Sequence, residues 1–237
     1  MIISEIYKCA QMEGALMGTP SILIRLSTCN LRCSWTDPVT GHVSKCDSYF
    51  TSWQPEINHK TLKEIIEQVV ELAGVEIKHI IISGGEPTMQ KELPELCSLL
   101  KVLGFHITIE TNGTFDFKGP TDLLSISPKL SNSIPVGTEF EEMHKRNRLK
   151  LDILRKLVYS FDSYLKFVCT SEKDLEEIKE IQKALQLDSL RIYLMPEGQT
   201  DEELKAKRIW LLETCISEGF RYTDRMHIIV YDKKRGV

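Results

Sequence analysis

Seven short segments of the chain are rich in β-branched and aromatic residues and are bounded by turn-forming residues, a pattern that predicts β-strands. They span residues 21–27, 78–83, 105–110, 122–127, 164–168, 190–195 and 226–231. Amphipathic helical patterns lie between them, at residues 61–74, 91–104, 139–160, 171–186 and 201–219. Three of these patterns end on glycine, at Gly74, Gly104 and Gly219, as helices commonly do.

Strands that alternate with helices predict a largely parallel sheet, because a parallel return requires a long connection that a helix can fill. The link between the third and fourth strands is too short for a helix, so the pattern favours an α/β fold with a partial (β/α)6 TIM-like barrel over a closed eightfold one. The chain has 237 residues, of which 42% are apolar, and no break in composition divides it. We therefore predict a single domain over residues 1–237.

Charge and hydropathy exclude several classes of protein. The net charge is −4, from 34 acidic and 30 basic side chains that are interspersed, so the sequence predicts no nucleic-acid surface. No apolar run reaches the roughly 18 residues of a membrane span, and the first residues do not resemble a signal peptide. We expect a cytoplasmic protein without a membrane partner. Its seven cysteines, an odd number, favour free thiols or metal ligands over disulfides.

Polar and glycine-rich stretches of the chain directly follow predicted strands. They are Cys29 and residues 83–87, 110–113, 127–129 and 195–198, after the first, second, third, fourth and sixth strands. Ligands of barrels and open parallel sheets bind at the carboxyl ends of the strands. We therefore place the active site at this edge. The glycine pair at 84 and 85 would let the backbone approach a ligand closely.

Three cysteines, Cys29, Cys33 and Cys46, lie in the loop after the first strand. A structural zinc ion takes four protein ligands, whereas a [4Fe–4S] cluster can bind three thiolates and leave one iron for another ligand. The absence of a fourth cysteine nearby favours the cluster. A Cys₃His zinc site that uses His42, within the same loop, stays open on spacing alone.

The loop CNLRCSW at 29–35, followed by CDS at 46–48, resembles the cysteine loop of radical S-adenosylmethionine (SAM) enzymes, and SGGEP at 83–87 resembles their GGEP motif. Further stretches are similar to the 7-carboxy-7-deazaguanine synthases of that superfamily, at residues 11–14, 18–20, 24–26, 110–113, 127–129, 165–168 and 234–237. The resemblance thus extends over the whole chain.

The chain departs from the family pattern at two places. Met12 stands where the family usually has glycine, and twelve residues rather than two separate Cys33 from Cys46. We expect Pro38 and Gly41 to turn this insertion back on itself, so that Cys46 returns to the side of Cys33.

The resemblance implies a barrel of the radical SAM type, with the insertion in its cluster-binding loop, and a [4Fe–4S] cluster, SAM and Mg²⁺ as cofactors. It implies a lyase of the queuosine and 7-deazapurine pathway. This enzyme would convert 6-carboxy-5,6,7,8-tetrahydropterin to 7-carboxy-7-deazaguanine by radical ring contraction with loss of ammonia. A homodimer and a reductant protein such as flavodoxin or ferredoxin are also implied. Another small radical SAM enzyme, such as a glycyl-radical activase, and a structural zinc module are the alternatives.

The resemblance also assigns residues to each cofactor and to the substrate. It assigns Cys29, Cys33 and Cys46 to the cluster and Ser48 to Mg²⁺. It assigns Asp47, Gly84, Gly85, Glu86, Asn112, Ser127, Lys129, Met195 and Glu197 to SAM. It assigns Ala10, Gln11, Met12, Glu13, Arg25, Ser83, His227 and Val237 to the pterin.

Some of these assignments have a structural alternative. Arg25 would bind the substrate carboxylate with its forked guanidinium, although the strand pattern alone fits a residue that faces solvent. His227 could equally be a structural histidine. Lys166 alternates onto the strand face opposite Leu165 and Phe167 and receives no role. The remaining cysteines, Cys9, Cys97, Cys169 and Cys215, are expected to be buried apolar side chains.

Overall fold

The computed structural model describes residues 1–232 and 234–236. The strands are β1 Ile2–Ala10, β2 Pro20–Leu26, β3 Ser34–Thr36, β4 Val43–Lys45, β5 Asn58–His59, β6 His79–Gly84, β7 His106–Thr111, β8 Leu123–Ile126, β9 Ser163–Cys169, β10 Ile192–Pro196 and β11 Arg221–Tyr222. The α-helices are α1 Tyr49–Ser52, α2 Leu62–Ala73, α3 Leu93–Val102, α4 Glu141–Asn147, α5 Leu151–Ser160, α6 Asp174–Leu185, α7 Asp201–Glu218 and α8 Met226–Tyr231.

One sheet contains nine of these strands, in the order β11-β10-β9-β8-β7-β6-β2-β1-β5. Seven neighbouring strands of this sheet pair in parallel, in the spatial order β2-β6-β7-β8-β9-β10-β11. Strand β1 runs antiparallel to β2, and β5 runs antiparallel to β1. Within the described residues β5 and β11 end the sheet without pairing to each other. The six predicted parallel strands and the partial barrel are thus confirmed.

Alternate residues of the barrel strands face different environments. In β2, Ile22, Ile24 and Leu26 pack into the main apolar core, together with side chains of the surrounding helices. Leu23 and Arg25, which alternate with them, line a cavity on the other side of the sheet. Because side chains of a strand alternate between faces, the same strands build both the core and the site.

Two local predictions were wrong, and strand β1 was not predicted. Residues 226–231, predicted as a strand from their β-branched content, form helix α8, whose first residue, Met226, donates a backbone hydrogen bond to Met12 O at 3.1 Å. Tertiary packing there outweighs β propensity. The sequence analysis missed β1, and the helical pattern 139–160 is divided into α4 and α5.

None of the helices in the described part of the chain has the length and apolar character needed to cross a membrane. The single-domain boundary at 1–237 and the cytoplasmic location stay predictions.

Candidate active site

A cavity of about 930 Å³ lies at the carboxyl ends of the parallel strands, the edge that the sequence predicted. Nearly all of the site residues predicted from the sequence line it. The exceptions are Glu86, which is not part of its lining, and Val237, which lies outside the described residues. The prediction of one shared edge is therefore confirmed, while the ligand of each residue stays a prediction.

The inserted segment between the second and third cysteines is a β-hairpin. Strands β3 and β4 pair antiparallel, with Ser34 opposite Lys45. The hairpin brings its two ends together, so that Cys46 N donates a hydrogen bond to Cys33 O at 3.1 Å. The expected return of Cys46 to the side of Cys33 is thus confirmed, and the insertion leaves the three-cysteine loop compact.

The three thiols lie around a small apolar cluster formed by Leu31, Cys33 and Trp35, against which Cys29 and Cys46 pack. Burial raises the pKa of Cys29 to about 12 and that of Cys33 to about 11, and it raises the pKa of Cys46 well above its usual value. Thiolate ligands must lose their protons when a metal binds. Binding of a metal centre by these thiols would therefore displace their protons.

The spacing of the thiols does not suit a single zinc ion. Two thiolates on one zinc lie at most about 4.6 Å apart, because each Zn–S bond is about 2.3 Å long. Among residues 1–232 and 234–236, the only three His, Cys, Asp or Glu ligand atoms within 4.8 Å of one another belong to Glu13, Asp47 and His227. At least two of the three thiol sulfurs therefore lie more than 4.8 Å apart, which is wider than one zinc ion would hold them. His42 is exposed on the hairpin.

The two glycines at the carboxyl end of β6, Gly84 and Gly85, have a structural role that the sequence did not predict. A Cβ atom on Gly84 would lie 1.9 Å from Leu26 O, and one on Gly85 would lie 1.9 Å from Thr28 O. Gly84 also has a φ of +124°, which disfavours other residues. The glycines therefore allow this segment to pack against the backbone that leads from β2 to Cys29. The nearest neighbours of the two glycines are thus backbone atoms of Leu26 and Thr28.

Glu86 is completely buried and connects the ends of β6 and β7. Its carboxylate accepts hydrogen bonds from Thr88 N at 3.1 Å, Thr88 Oγ1 at 2.5 Å, Thr111 Oγ1 at 2.6 Å and Asn112 N at 2.6 Å. Burial raises its pKa although all four bonds oppose that shift. The side chain thus fixes the segment that carries Asn112 and does not point into the cavity.

Arg25 lies inside the cavity, and its side chain is only 18% exposed. Its Nε donates to Glu5 Oε2, its Nη1 to Ser48 Oγ and its Nη2 to Tyr7 Oη, each at 3.1 Å. The alternative of a solvent-facing strand residue is therefore wrong. Three of its five N–H groups are used, and two remain for a ligand.

Glu110 connects two of the predicted substrate residues, although the sequence analysis assigned it no contact. It accepts a hydrogen bond from Gln11 Nε2 at 3.2 Å and one from Ser83 Oγ at 2.7 Å. Its position directly before Thr111, in the polar stretch after the third predicted strand, is the signal that could have identified it. The three side chains form a hydrogen-bonding wall of the cavity.

A buried charge cluster lies beside this wall and includes two further residues that the sequence analysis missed, Lys166 and Arg225. Lys166 Nζ forms an ion pair with Glu13 Oε2. Burial alone would raise the pKa of Glu13, but the charges of Lys166, Arg225 and His227 lower it to about 2. Burial lowers the pKa of His227, although the carboxylates of Glu13 and Asp47 oppose this shift. A lysine within an apolar strand was the available signal, whereas nothing in the sequence marked Arg225.

After the carboxyl end of β8, Lys129 Nζ donates to Ser127 Oγ at 2.7 Å. Glu197 is 4% exposed, and its carboxylate accepts from Ser44 Oγ at 2.7 Å and from Lys207 Nζ at 3.3 Å. Ser44 belongs to the inserted hairpin. The carboxyl end of β10 is therefore joined to the segment that positions the third cysteine.

Comparison with known proteins gives a consistent family. A family model described as the Radical SAM superfamily matches residues 23–207. A 7-carboxy-7-deazaguanine synthase of Rhodopirellula baltica is 39% identical over 240 residues, covering 100% of this chain and 88% of the relative. One from Halobacterium salinarum is 36% identical, covering 97% and 90%.

Solved structures share the fold. The crystal structure of QueE from Escherichia coli matches with a TM-score of 0.66 at 23% identity, covering 95% of this chain and 94% of the other. The structure of TYW1 with a lysine-pyruvate adduct bound matches with a TM-score of 0.58 at 16% identity, covering 84% and 74%. At these identities the matches establish the fold alone.

Proposed function

We propose, on the premise that this chain belongs to the radical SAM superfamily and within it to the 7-carboxy-7-deazaguanine synthase family, that it converts 6-carboxy-5,6,7,8-tetrahydropterin to 7-carboxy-7-deazaguanine with loss of ammonia. The proposal rests on one observation. Three thiols from a single loop and a buried arginine line the same cavity, beside hydrogen-bonding groups. The relatives carry the name of a small-molecule synthase, which favours this reaction over activation of a protein radical.

Cys29, Cys33 and Cys46 would hold a [4Fe–4S] cluster, and three thiolates that meet beside one apolar cluster fit a group that leaves one iron for another ligand. Asn112, whose Nδ2 lies 4.0 Å from Cys29 Sγ, would be next to it. Together, cluster and SAM supply a carbon-centred radical able to remove a hydrogen atom from the substrate.

SAM would occupy the side of the cavity nearest the cluster. Ser127 and Lys129 offer a hydroxyl and an ammonium there, while Met195 offers an apolar surface. Asp47, Gly84, Gly85 and Glu197 complete the lining. Glu86 would act on SAM through Asn112, because its carboxylate is used by Thr88, Thr111 and Asn112.

The pterin would lie against the wall formed by Gln11, Ser83 and Glu110. Arg25 would bind its carboxylate through the two N–H groups that remain free. The carboxylate of Glu110 would accept hydrogen bonds from the amino groups of the ring, and Ala10, Met12, Glu13 and His227 would enclose the other edge. A radical reacts with almost any nearby C–H bond. This wall would therefore serve to fix the orientation of the substrate.

Ser48 would provide the protein ligand for Mg²⁺. Its hydroxyl donates to Asp47 Oδ1 at 3.3 Å and accepts from Arg25, which leaves one lone pair. Mg²⁺ prefers oxygen ligands and retains several waters, so one hydroxyl beside a carboxylate and the substrate fits it. A reductant protein such as flavodoxin or ferredoxin would deliver the electron, and a homodimer is the proposed assembly.

The proposed reaction is tested by incubating the anaerobically reconstituted protein with SAM, dithionite and the carboxypterin. Because the substrate and the product differ by ammonia alone, a hydrogen atom removed from the substrate must be returned, and we expect 7-carboxy-7-deazaguanine to form in excess over any 5′-deoxyadenosine. Arg25→Met should lower kcat/KM about 100-fold, because a charge-assisted fork is lost. Cleavage of SAM by the wild-type protein without any deazaguanine product would contradict the assignment to this substrate.

A further inference from the structure

Arg225 joins three segments of the site that are far apart in the sequence. Its Nη2 forms an ion pair with Asp47 Oδ2, next to the third cysteine, and its Nη1 donates to Gly198 O at 2.7 Å. Its Nε lies 3.5 Å from Glu13 Oε1, in the substrate segment. The side chain is 10% exposed and lines the cavity. One guanidinium thus lies between the substrate segment and the cluster loop.

The groups around Arg225 resemble the ligand set of a divalent metal ion. Glu13, Asp47 and His227 each offer one ligand atom, and these atoms lie within 4.8 Å of one another. His227 Nδ1 is 3.8 Å from Glu13 Oε1, and its Nε2 is 3.8 Å from Asp47 Oδ2. Arg225 contacts these same two carboxylate oxygens. Two fixed cations, Arg225 and Lys166, the latter paired with the other oxygen of Glu13, therefore already balance the two acids.

The contacts of Arg225 extend to the backbone on both sides. Its own N–H donates to Asp224 Oδ1 at 2.8 Å, and the next residue, Met226, donates to Met12 O at 3.1 Å. These hydrogen bonds fix the backbone at Arg225 and thereby restrict the position of its guanidinium. Its Nε, buried and without a hydrogen-bond partner, points towards Glu13 at slightly more than hydrogen-bonding distance.

We propose that Arg225 is a positioning residue, which holds the substrate segment at Glu13 against the cluster loop at Asp47. Its guanidinium acts as a built-in cation at the position where Glu13, Asp47 and His227 would otherwise bind a divalent metal ion. Mg²⁺ is thereby excluded from this position and directed to Ser48. The inference rests on the proposed function for its effect on turnover. Its effect on metal binding does not depend on the substrate.

Metal binding tests the inference without turnover. Mn²⁺ is titrated into the reconstituted, substrate-free protein, and bound Mn²⁺ is counted by electron paramagnetic resonance. Arg225→Met, which keeps the length of the side chain and removes its charge, should bind one more Mn²⁺ per chain than the wild type. The double variant Arg225→Met with Glu13→Gln should lose that ion. Equal Mn²⁺ counts in wild type and Arg225→Met would overturn the proposal.

Coupling of the two half-reactions tests the positioning role. In Arg225→Met, the ratio of deazaguanine product to 5′-deoxyadenosine should fall at least tenfold, while SAM cleavage continues. The matched control is Arg221→Gln, because Arg221 contacts Tyr193 and does not line the cavity. Its ratio should equal that of the wild type. An unchanged ratio in Arg225→Met would overturn the positioning role.

Arg225→Lys keeps the inference testable if the methionine variant fails to fold. A lysine retains the charge but cannot fork onto two carboxylates. It should bind no more Mn²⁺ than the wild type and should lower the product ratio severalfold. A wild-type ratio in Arg225→Lys would contradict the proposal. If the wild type makes no deazaguanine at all, the proposed function fails, and the Mn²⁺ count still decides the role of Arg225.

Discussion

The two ends of the same parallel strands bury polar groups in opposite ways. At the amino end, His79 lies between Ser21 Oγ at 2.6 Å and Thr108 Oγ1 at 2.8 Å, and burial lowers its pKa to about 4, so that it stays neutral. At the carboxyl end, the buried Lys166 forms an ion pair with Glu13, whose side chain is 14% exposed. The first arrangement needs only hydrogen bonds, whereas the second needs ion pairs.

The origin of the partners explains this difference. Ser21 and His79 are register neighbours in β2 and β6, so the sheet itself brings them together. The charges at the carboxyl end come from segments around residues 13, 47 and 225, which only the complete fold unites. A buried charge is destabilising unless it is well paired, and apolar residues would stabilise the core at least as well. Buried charges that come from separate loops therefore indicate function.

The largest expected effect is at the carboxyl end. Cys46→Ala should abolish cluster assembly and product formation, because two thiolates cannot hold the cluster in place of three. Cys97→Ala is the matched control, since Cys97 is buried in the main core away from the cavity. Iron and sulfide analysis after anaerobic reconstitution measures both. A full iron content in Cys46→Ala would contradict the ligand assignment.

The second largest effect, on stability, is expected at Glu86, whose hydrogen bonds connect the carboxyl ends of β6 and β7. Glu86→Ala should lower the free energy of unfolding by about 4 kcal/mol, because it removes four hydrogen bonds and leaves buried donors unpaired. Urea denaturation measures this change. Glu92→Ala, at a half-exposed carboxylate, is the control and should cost much less. A loss below about 1 kcal/mol in Glu86→Ala would show that these bonds do not hold the two ends.

At the amino end, acid should be destabilising through His79. Its pKa is about 4 in the folded chain and 6.5 ordinarily, so protons bind the unfolded chain preferentially. Its contribution is complete above pH 6.5 and is lost as the pH falls from 6.5 to 4, by at most about 3 kcal/mol. Urea denaturation over this range should give a steeper pH dependence for the wild type than for His79→Gln. Identical slopes would contradict the neutral state of His79.

The smallest expected effect concerns the inserted hairpin. Asp37 accepts hydrogen bonds from Val39 N at 3.0 Å and Thr40 N at 2.8 Å and forms an ion pair with Lys207 at 3.3 Å. Asp37→Ala should cost about 1 kcal/mol and accelerate the loss of iron on dilution into chelator. Asp152→Ala, which removes an exposed ion pair on α5, should do neither. Equal rates of iron loss would show that the hairpin does not secure Cys46.

Patterns local to the chain predicted the parallel strands and the edge that carries the site. Strand periodicity and the glycines after helices are such patterns, and the return of Cys46 followed from turn residues within its own loop. Residues 226–231 were misread because their helical state depends on packing beside Met12. Lys166 and Arg225 could not be assigned, since their roles arise from partners more than a hundred residues away.

The central claim is that three thiols, brought together by the hairpin, hold a cluster with one iron open to SAM. The most direct measurement is the electron paramagnetic resonance spectrum of the reduced, reconstituted protein with and without SAM. The account predicts the signal of a reduced [4Fe–4S] cluster, with about four irons per chain, that shifts when SAM is added. Stoichiometric zinc without iron, or a cluster signal that SAM leaves unchanged, would contradict it.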